Sequence, residues 1–117
     1  LSKLQARSTI NPMSKSSTKD SQKFLQEGAN QAAAMLRAVG NEHRLIVLCL
    51  LIEHEEMSVG ALLEQVPLSQ SALSQHLARM RDEGLLTFRR EAQTLYYRIG
   101  NPDVAKLIAT LKTIFCA

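Results

Sequence analysis

Reactive chemistry in this chain rests on two thiols, Cys49 and Cys116, its two cysteines. A thiolate can attack a persulfide or polysulfide, gain a sulfur and then be attacked by a second thiol, so a pair supports reversible exchange. The same residues also read as inert core groups, because free cysteine packs like a small hydrophobe. Recognition chemistry is concentrated further along. Ser71, Ser74, Gln75 and Ala78 carry small or amide side chains that suit base edges, glutamine pairing bidentately with adenine, and Arg79 and Arg81 beside them suit phosphates. The three histidines, His43, His54 and His76, fall on three different predicted elements without a shared ligand spacing, so each reads as a surface or partly packed residue.

The segment that must hold the recognition groups runs from Met57 to Leu86, MSVGALLEQVPLSQSALSQHLARMRDEGLL. Ser58 and Ser69 are each placed to accept a hydrogen bond from a helix-start amide, and Pro67 stands between them where a helix cannot continue. The pattern predicts two helices joined by a tight turn. In the second, Leu73, Leu77 and Met80 recur at i, i+4, i+7 and predict a buried stripe, leaving Ser71, Ser74, Gln75 and Ala78 on the opposite face. Gly84 is expected to end that helix in the left-handed conformation. Beyond it the period becomes alternating: Leu86 and Phe88 share one face, and Leu95, Tyr97 and Ile99 do the same after a polar break. The hairpin tip, Arg89-Arg90-Glu91-Ala92-Gln93, has two adjacent arginines without an evident folding role. Arg89, Arg90 and Gln93 are therefore expected to lie against a phosphate backbone. A helix-turn-helix followed by a basic wing points to double-stranded DNA.

Length and charge bound the rest. One domain with a modest core fits 117 residues, without room for a separate catalytic or ligand-binding module. A formal net charge of +3 and a pI near 9.1 are compatible with a polyanionic partner. No apolar run is long enough to span a membrane and no apolar signal segment opens the chain, so a cytoplasmic location is expected, with no membrane partner. That compartment disfavours a structural disulfide and leaves the cysteines as core residues or reversible redox groups. An enzymatic use of the thiols lacks a cofactor motif or an orienting Ser/His/Asp or Cys/His arrangement, so no catalytic residue is assigned.

Taken in order, residues 1–20 are polar and predict a structureless tail, within which Met13 offers an alternative start. Ser21–Val39 predicts a helix with Leu25, Ala29, Ala32, Leu36 and Val39 on one face. Asn41 is a candidate cap for a second helix, Glu42 to about Glu53, whose centre LIVLCLLI is apolar all round and is expected to be buried on nearly every side, Cys49 with it. Asn101-Pro102-Asp103 is a strong helix start, and Val104, Leu107, Ile108, Leu111, Ile114 and Phe115 carry that helix to the end. So apolar a terminal helix exceeds what one small core covers. A homodimer through the first and last helices solves the exposure and supplies a two-fold axis for a pseudo-palindromic site. The predicted fold is a mainly α winged helix-turn-helix with a small β-hairpin, over residues 21–117.

The segments LRAVGNEHRLIVLCLL, SVGALLEQVPLSQSALSQHLARMRDEGLL and LYYRIGN resemble the ArsR/SmtB family of small dimeric bacterial repressors, over about residues 22–117. The resemblance implies that Gln70, Ser71, Ser74 and Gln75 face operator DNA. Many members sense metals, but the family's thiolate site corresponds here to Met57–Leu63, which has no ligand. Its last-helix site corresponds to a stretch in which Asp103 stands alone. Metal sensing is thus an alternative only, no metal or cofactor is assigned, and a non-sensing architectural DNA-binding protein is the other rival. Cys49 in VLCLL and Cys116 in TIFCA resemble the paired dithiol of the sulfide- and persulfide-responsive branch, the BigR-, SqrR- and HlyU-like repressors. That resemblance implies a redox-sensing pair with reactive sulfur species as inducer, and release of DNA when the pair is oxidised.

Overall fold

Side-chain caps start four of the helices. In the computed structural model, which describes residues 15–116, α1 spans Lys15–Lys23, a π-helical turn Phe24–Gly28, α2 Ala29–Val39 and α3 Glu42–His54. Then come β1 (Met57–Ser58), α4 (Val59–Gln65), α5 (Gln70–Asp82), β2 (Leu86–Glu91), β3 (Thr94–Ile99) and α6 (Pro102–Phe115). The Oδ1 of Asn41 accepts from the Arg44 amide at 3.1 Å, and that of Asn101 from the Asp103 amide at 2.9 Å. Ser58 and Ser69 accept through Oγ from the amides of Ala61 and Ala72, both at 3.1 Å. Each bond satisfies a donor that the first helical turn leaves open.

The chain divides into two units, Leu1–Ala34 and Met35–Ala117. In the first, the expected tail lies outside the described residues up to residue 14, but Lys15–Asp20 are helical, which corrects the boundary. Polarity argues against burial, not against a helix, and no proline or glycine interrupts residues 14–27. The predicted first helix is interrupted by the π-helical turn, which ends at Gly28. There a β-carbon would come within 2.8 Å of the Phe24 ring. Phe24 and Leu25 are exposed.

The second unit holds the core. Val47, Leu48 and Leu51 of α3, Leu62 of α4, Leu73, Leu77 and Met80 of α5, and Val104 and Ile108 of α6 are buried together with Leu86 and Tyr97 of the sheet. The strand order is β1-β3-β2, all antiparallel, with Phe88 opposite Tyr97 and Met57 pairing Tyr97 from the other edge. The rings of Phe88 and Tyr97 lie 5.6 Å apart. Strand β1 was not expected, because two residues carry no visible period. α3 also differs from expectation: only the face with Val47, Leu48 and Leu51 is fully buried. Leu45, Ile46, Cys49, Leu50 and Ile52 are half-buried.

The end of α5 shows how closely a single residue type can be dictated. The amide of Gly84 donates to the Arg81 carbonyl at 3.0 Å and that of Leu85 to the Met80 carbonyl at 2.8 Å, the paired bonds of a Schellman motif. Gly84 has φ of +82° and no atom stands within 4 Å of where a β-carbon would sit. Gly84→Ala therefore meets backbone strain alone and should lower unfolding free energy by about 1 kcal/mol, read as a lower urea midpoint at unchanged slope. An unchanged midpoint would show that the turn relaxes out of the left-handed conformation.

Candidate nucleic-acid interface and thiol pair

Helix α5 stands on the core through Leu73, Leu77 and Met80, each 1 % exposed or less. That packing fixes which face looks outward. Gln70, Ser71, Ser74, Gln75 and Arg79 are exposed, Ala78 is half-buried, and among the described residues none of the five exposed side chains makes an intramolecular hydrogen bond or ion pair. Unspent donors and acceptors of this kind are available to base edges and phosphates. Arg81 is less free: its guanidinium lies 5.5 Å from the Phe88 ring centre and 3.5 Å from the Asp82 carboxylate.

The wing departs from the sequence-based expectation at one residue. The loop between β2 and β3 is only Ala92-Gln93, with Ala92 at φ of +55°, so Gln93 is at the tip while Arg89 and Arg90 belong to β2. Arg89 has a folding role after all. Its Nε and one terminal nitrogen donate to the two carboxylate oxygens of Glu56, both at 2.9 Å, and its other terminal nitrogen donates to Glu91 at 2.7 Å. The guanidinium also sits 4.4 Å from the centre of the Tyr96 ring. The Arg89 hydrogen bond holds the Glu56 carboxyl below its ordinary pKa, and Glu56 and Glu91 push that of Arg89 up, so the clamp persists through the neutral range. A bidentate clamp 33 residues apart in sequence has no local signal, whereas Arg90, one residue on, is exposed and makes no ion pair among the described residues. Of the two arginines of β2, Arg90 is therefore the one whose charge is left open to solvent.

The thiols stand on α3 and just beyond the end of α6, two helices in contact with each other. Cys49 is half-buried beside Leu45, Ile46 and Leu50 on an apolar concavity of about 560 Å³, instead of enclosed in the core as expected, and Cys116 is exposed. Burial pushes the Cys49 thiol above its ordinary pKa; Lys112 opposes this, while Cys116 and Glu53 add to it. Lys112 and Glu53 themselves face each other at 3.7 Å across α6 and α3.

The histidines were expected on three elements. The structure puts His43 and His54 at opposite ends of α3, with the His43 ring 6.4 Å from that of His76 on α5. Among the described residues no three His, Cys, Asp or Glu side chains converge as a metal ion would need. Sequence reasoning also missed Arg44, whose Nε donates to His76 Nδ1 at 3.2 Å.

Comparison with known proteins decides the family. The profile of the bacterial regulatory proteins of the arsR family matches residues 41–87. The HTH-type transcriptional regulator YgaV of Escherichia coli is 50% identical over 79% of this chain and 93% of its own length. This chain belongs to the ArsR family. Among solved ArsR-type structures, reduced HlyU from Vibrio cholerae is 41% identical, with a TM-score of 0.76 over 81% of this chain and 99% of that one. The transcriptional repressor BigR from Xylella fastidiosa is 35% identical, with a TM-score of 0.75 over 82% and 97%. The chain is accordingly a transcriptional regulator of the HlyU and BigR type, with their winged helix-turn-helix fold.

For this ArsR-family regulator, Gln75→Ala or Ser74→Ala should weaken binding by about 1 to 3 kcal/mol and relax sequence preference at one position per half-site. Selection from a randomised duplex pool reads this directly; an unchanged preference would mean that another face meets the bases. Arg90→Ala should weaken binding to all sequences alike and make the salt slope shallower by about 0.9 for each phosphate no longer neutralised. Arg89→Ala should instead loosen the wing with little change in slope, seen as faster amide exchange in β2 and β3. A slope change on Arg89→Ala equal to that of Arg90→Ala would contradict the assignment.

Proposed function

We propose that this ArsR-family regulator is a homodimeric repressor that releases operator DNA when Cys49 and Cys116 are linked by persulfide, polysulfide or a related sulfur species. The observation that carries this reading is the placement of the two thiols on α3 and at the end of α6, helices in contact with each other, one thiol half-buried and one exposed. Self-association is supported by apolar side chains that the single chain leaves open: Leu25, Leu36, Ile114 and Phe115 are 71%, 56%, 61% and 79% exposed. The base-facing set on each subunit is Gln70, Ser71, Ser74 and Gln75, with Arg79, Arg81, Arg90 and Gln93 towards the backbone.

The exchange runs in two displacements. The exposed Cys116 thiolate attacks the outer sulfur of a persulfide, forming a new S–S bond and expelling the donor's thiolate. The Cys49 thiolate, its proton lost to solvent, then attacks Cys116 Sγ and expels hydrosulfide, leaving a disulfide. Two thiols are oxidised and the transferred sulfur is reduced. Because the Cys49 thiol titrates above its ordinary value, little thiolate is present at neutral pH, and the closing step should accelerate about tenfold per pH unit up to that pKa. The link would tie α6 to α3, the helix on which α5 also rests, and misaligned half-sites lose affinity.

A coupling of about 1 to 3 kcal/mol is enough to shift operator occupancy. Polysulfide-treated protein should therefore bind operator about tenfold or more weakly than reduced protein. Cys49→Ser and Cys116→Ser should each fold and bind like the reduced parent and stay bound after treatment. Identical titration curves for reduced and treated parent would leave a DNA-binding protein without a sulfur response. Release by either single-cysteine variant would replace the two-thiol switch with modification of one residue.

A further inference from the structure

Arg44, near the start of α3, is held on three sides. One terminal nitrogen donates to the Ala38 carbonyl at the end of α2 at 2.9 Å and lies 3.6 Å from the Glu83 carboxylate, while Nε donates to His76 Nδ1 at 3.2 Å. The side chain is only 11% exposed. A ring nitrogen that accepts from a guanidinium must carry a lone pair, so this bond exists only for the neutral imidazole with its proton on Nε2. His76 follows Gln75 directly on α5, and both line a concavity of about 710 Å³ with Arg44 and Arg79. The bond therefore joins the core helix to the helix that carries the base-facing residues.

We propose that His76 is a positioning residue for operator recognition: through its neutral Nδ1 it holds α5 at a fixed rotation on α3, so that sequence-specific binding falls on acidification. The proposal rests on α5 being the base-reading helix. The groups facing the imidazole are Arg44 and His43 from α3, Arg79 from α5 itself, and Asp82 and Glu83 at the end of α5, where Glu83 is already paired with Arg44. An imidazolium would lose the acceptor and place a further cation among Arg44, Arg79 and His43. Burial first, then Arg44, His43 and Arg79, hold His76 below the ordinary imidazole pKa, so the hydrogen bond is complete well above that ordinary value and is lost only as pH falls through the lowered pKa of His76 itself.

Asparagine separates positioning from mere bulk, since its Oδ1 reaches about the place of Nδ1 and does not titrate in this range. The probe is a duplex carrying the site that the protein selects from a randomised pool, beside a scrambled duplex, with reduced protein throughout. Between about pH 7.5 and about pH 5.5, specific affinity of the parent should fall about three- to tenfold relative to His76→Asn, the value of one hydrogen bond. Binding to the scrambled duplex should not separate the two proteins. At the higher pH His76→Asn should bind within about twofold of the parent, and His76→Leu, which offers no acceptor, should be weaker at every pH while retaining the parent's helical circular dichroism. Superimposable pH profiles for the parent and His76→Asn would overturn the inference, as would tighter binding by the parent in acid, which would make the imidazolium a phosphate contact. Failure of the base-reading assignment has a different signature, an unchanged site preference on Gln75→Ala.

Discussion

Helix α3 carries an uninterrupted apolar run, Leu45–Ile52, yet a helix in a small domain can bury only part of its circumference. The face with Val47, Leu48 and Leu51 is buried in one cluster with Leu62 of α4, Leu73, Leu77 and Met80 of α5, Leu86 and Tyr97 of the sheet, and Val104 and Ile108 of α6. The remaining face, with Leu45, Ile46, Cys49 and Leu50, is left half-covered. One helix thus supplies the common support of the wing and the recognition helix and also holds a thiol where a reagent can reach it. At its N-terminal end Arg44 extends that support to α5 by a polar contact, and at its C-terminal end Glu53 meets Lys112 of α6.

Much of this was legible in the sequence because the signals are local. Asn41, Ser58, Ser69 and Asn101 announce helix starts by side-chain chemistry that acts two or three residues away, and Gly84 announces a stop through its backbone freedom. The stripe Leu73, Leu77, Met80 separates the buried and exposed faces of α5 by period alone. What escaped was of longer range or too short to show a period. The clamp of Arg89 on Glu56 joins β2 to the loop before β1, so two arginines that look alike in sequence have opposite roles, one structural and one solvent-facing. β1 consists of two residues and is defined by its pairing with Tyr96 and Tyr97. The half-exposure of Cys49 follows from how many neighbours α3 finds, which hydrophobic period cannot state.

The candidate site is therefore two surfaces on one support. Burial orients the exposed polar groups of α5, and contact between α3 and α6 links the helices that carry the two thiols, which lie far apart in the chain. Membership of the ArsR family, and likeness to HlyU and BigR, accounts for the DNA-binding surface. The thiol pair is what would make that surface conditional, because a covalent link between α3 and α6 acts on the helix against which α5 packs.

The most direct test is chemical. Reduced protein is treated with polysulfide, digested without reductant and mapped by mass spectrometry, using a mixture of isotopically light and heavy protein so that links within and between chains differ in mass. The expected result is one peptide pair joining Cys49 to Cys116 with both halves carrying the same label, in the fraction that has lost operator binding. Release of DNA with no such pair, or with mixed-label pairs alone, would contradict it.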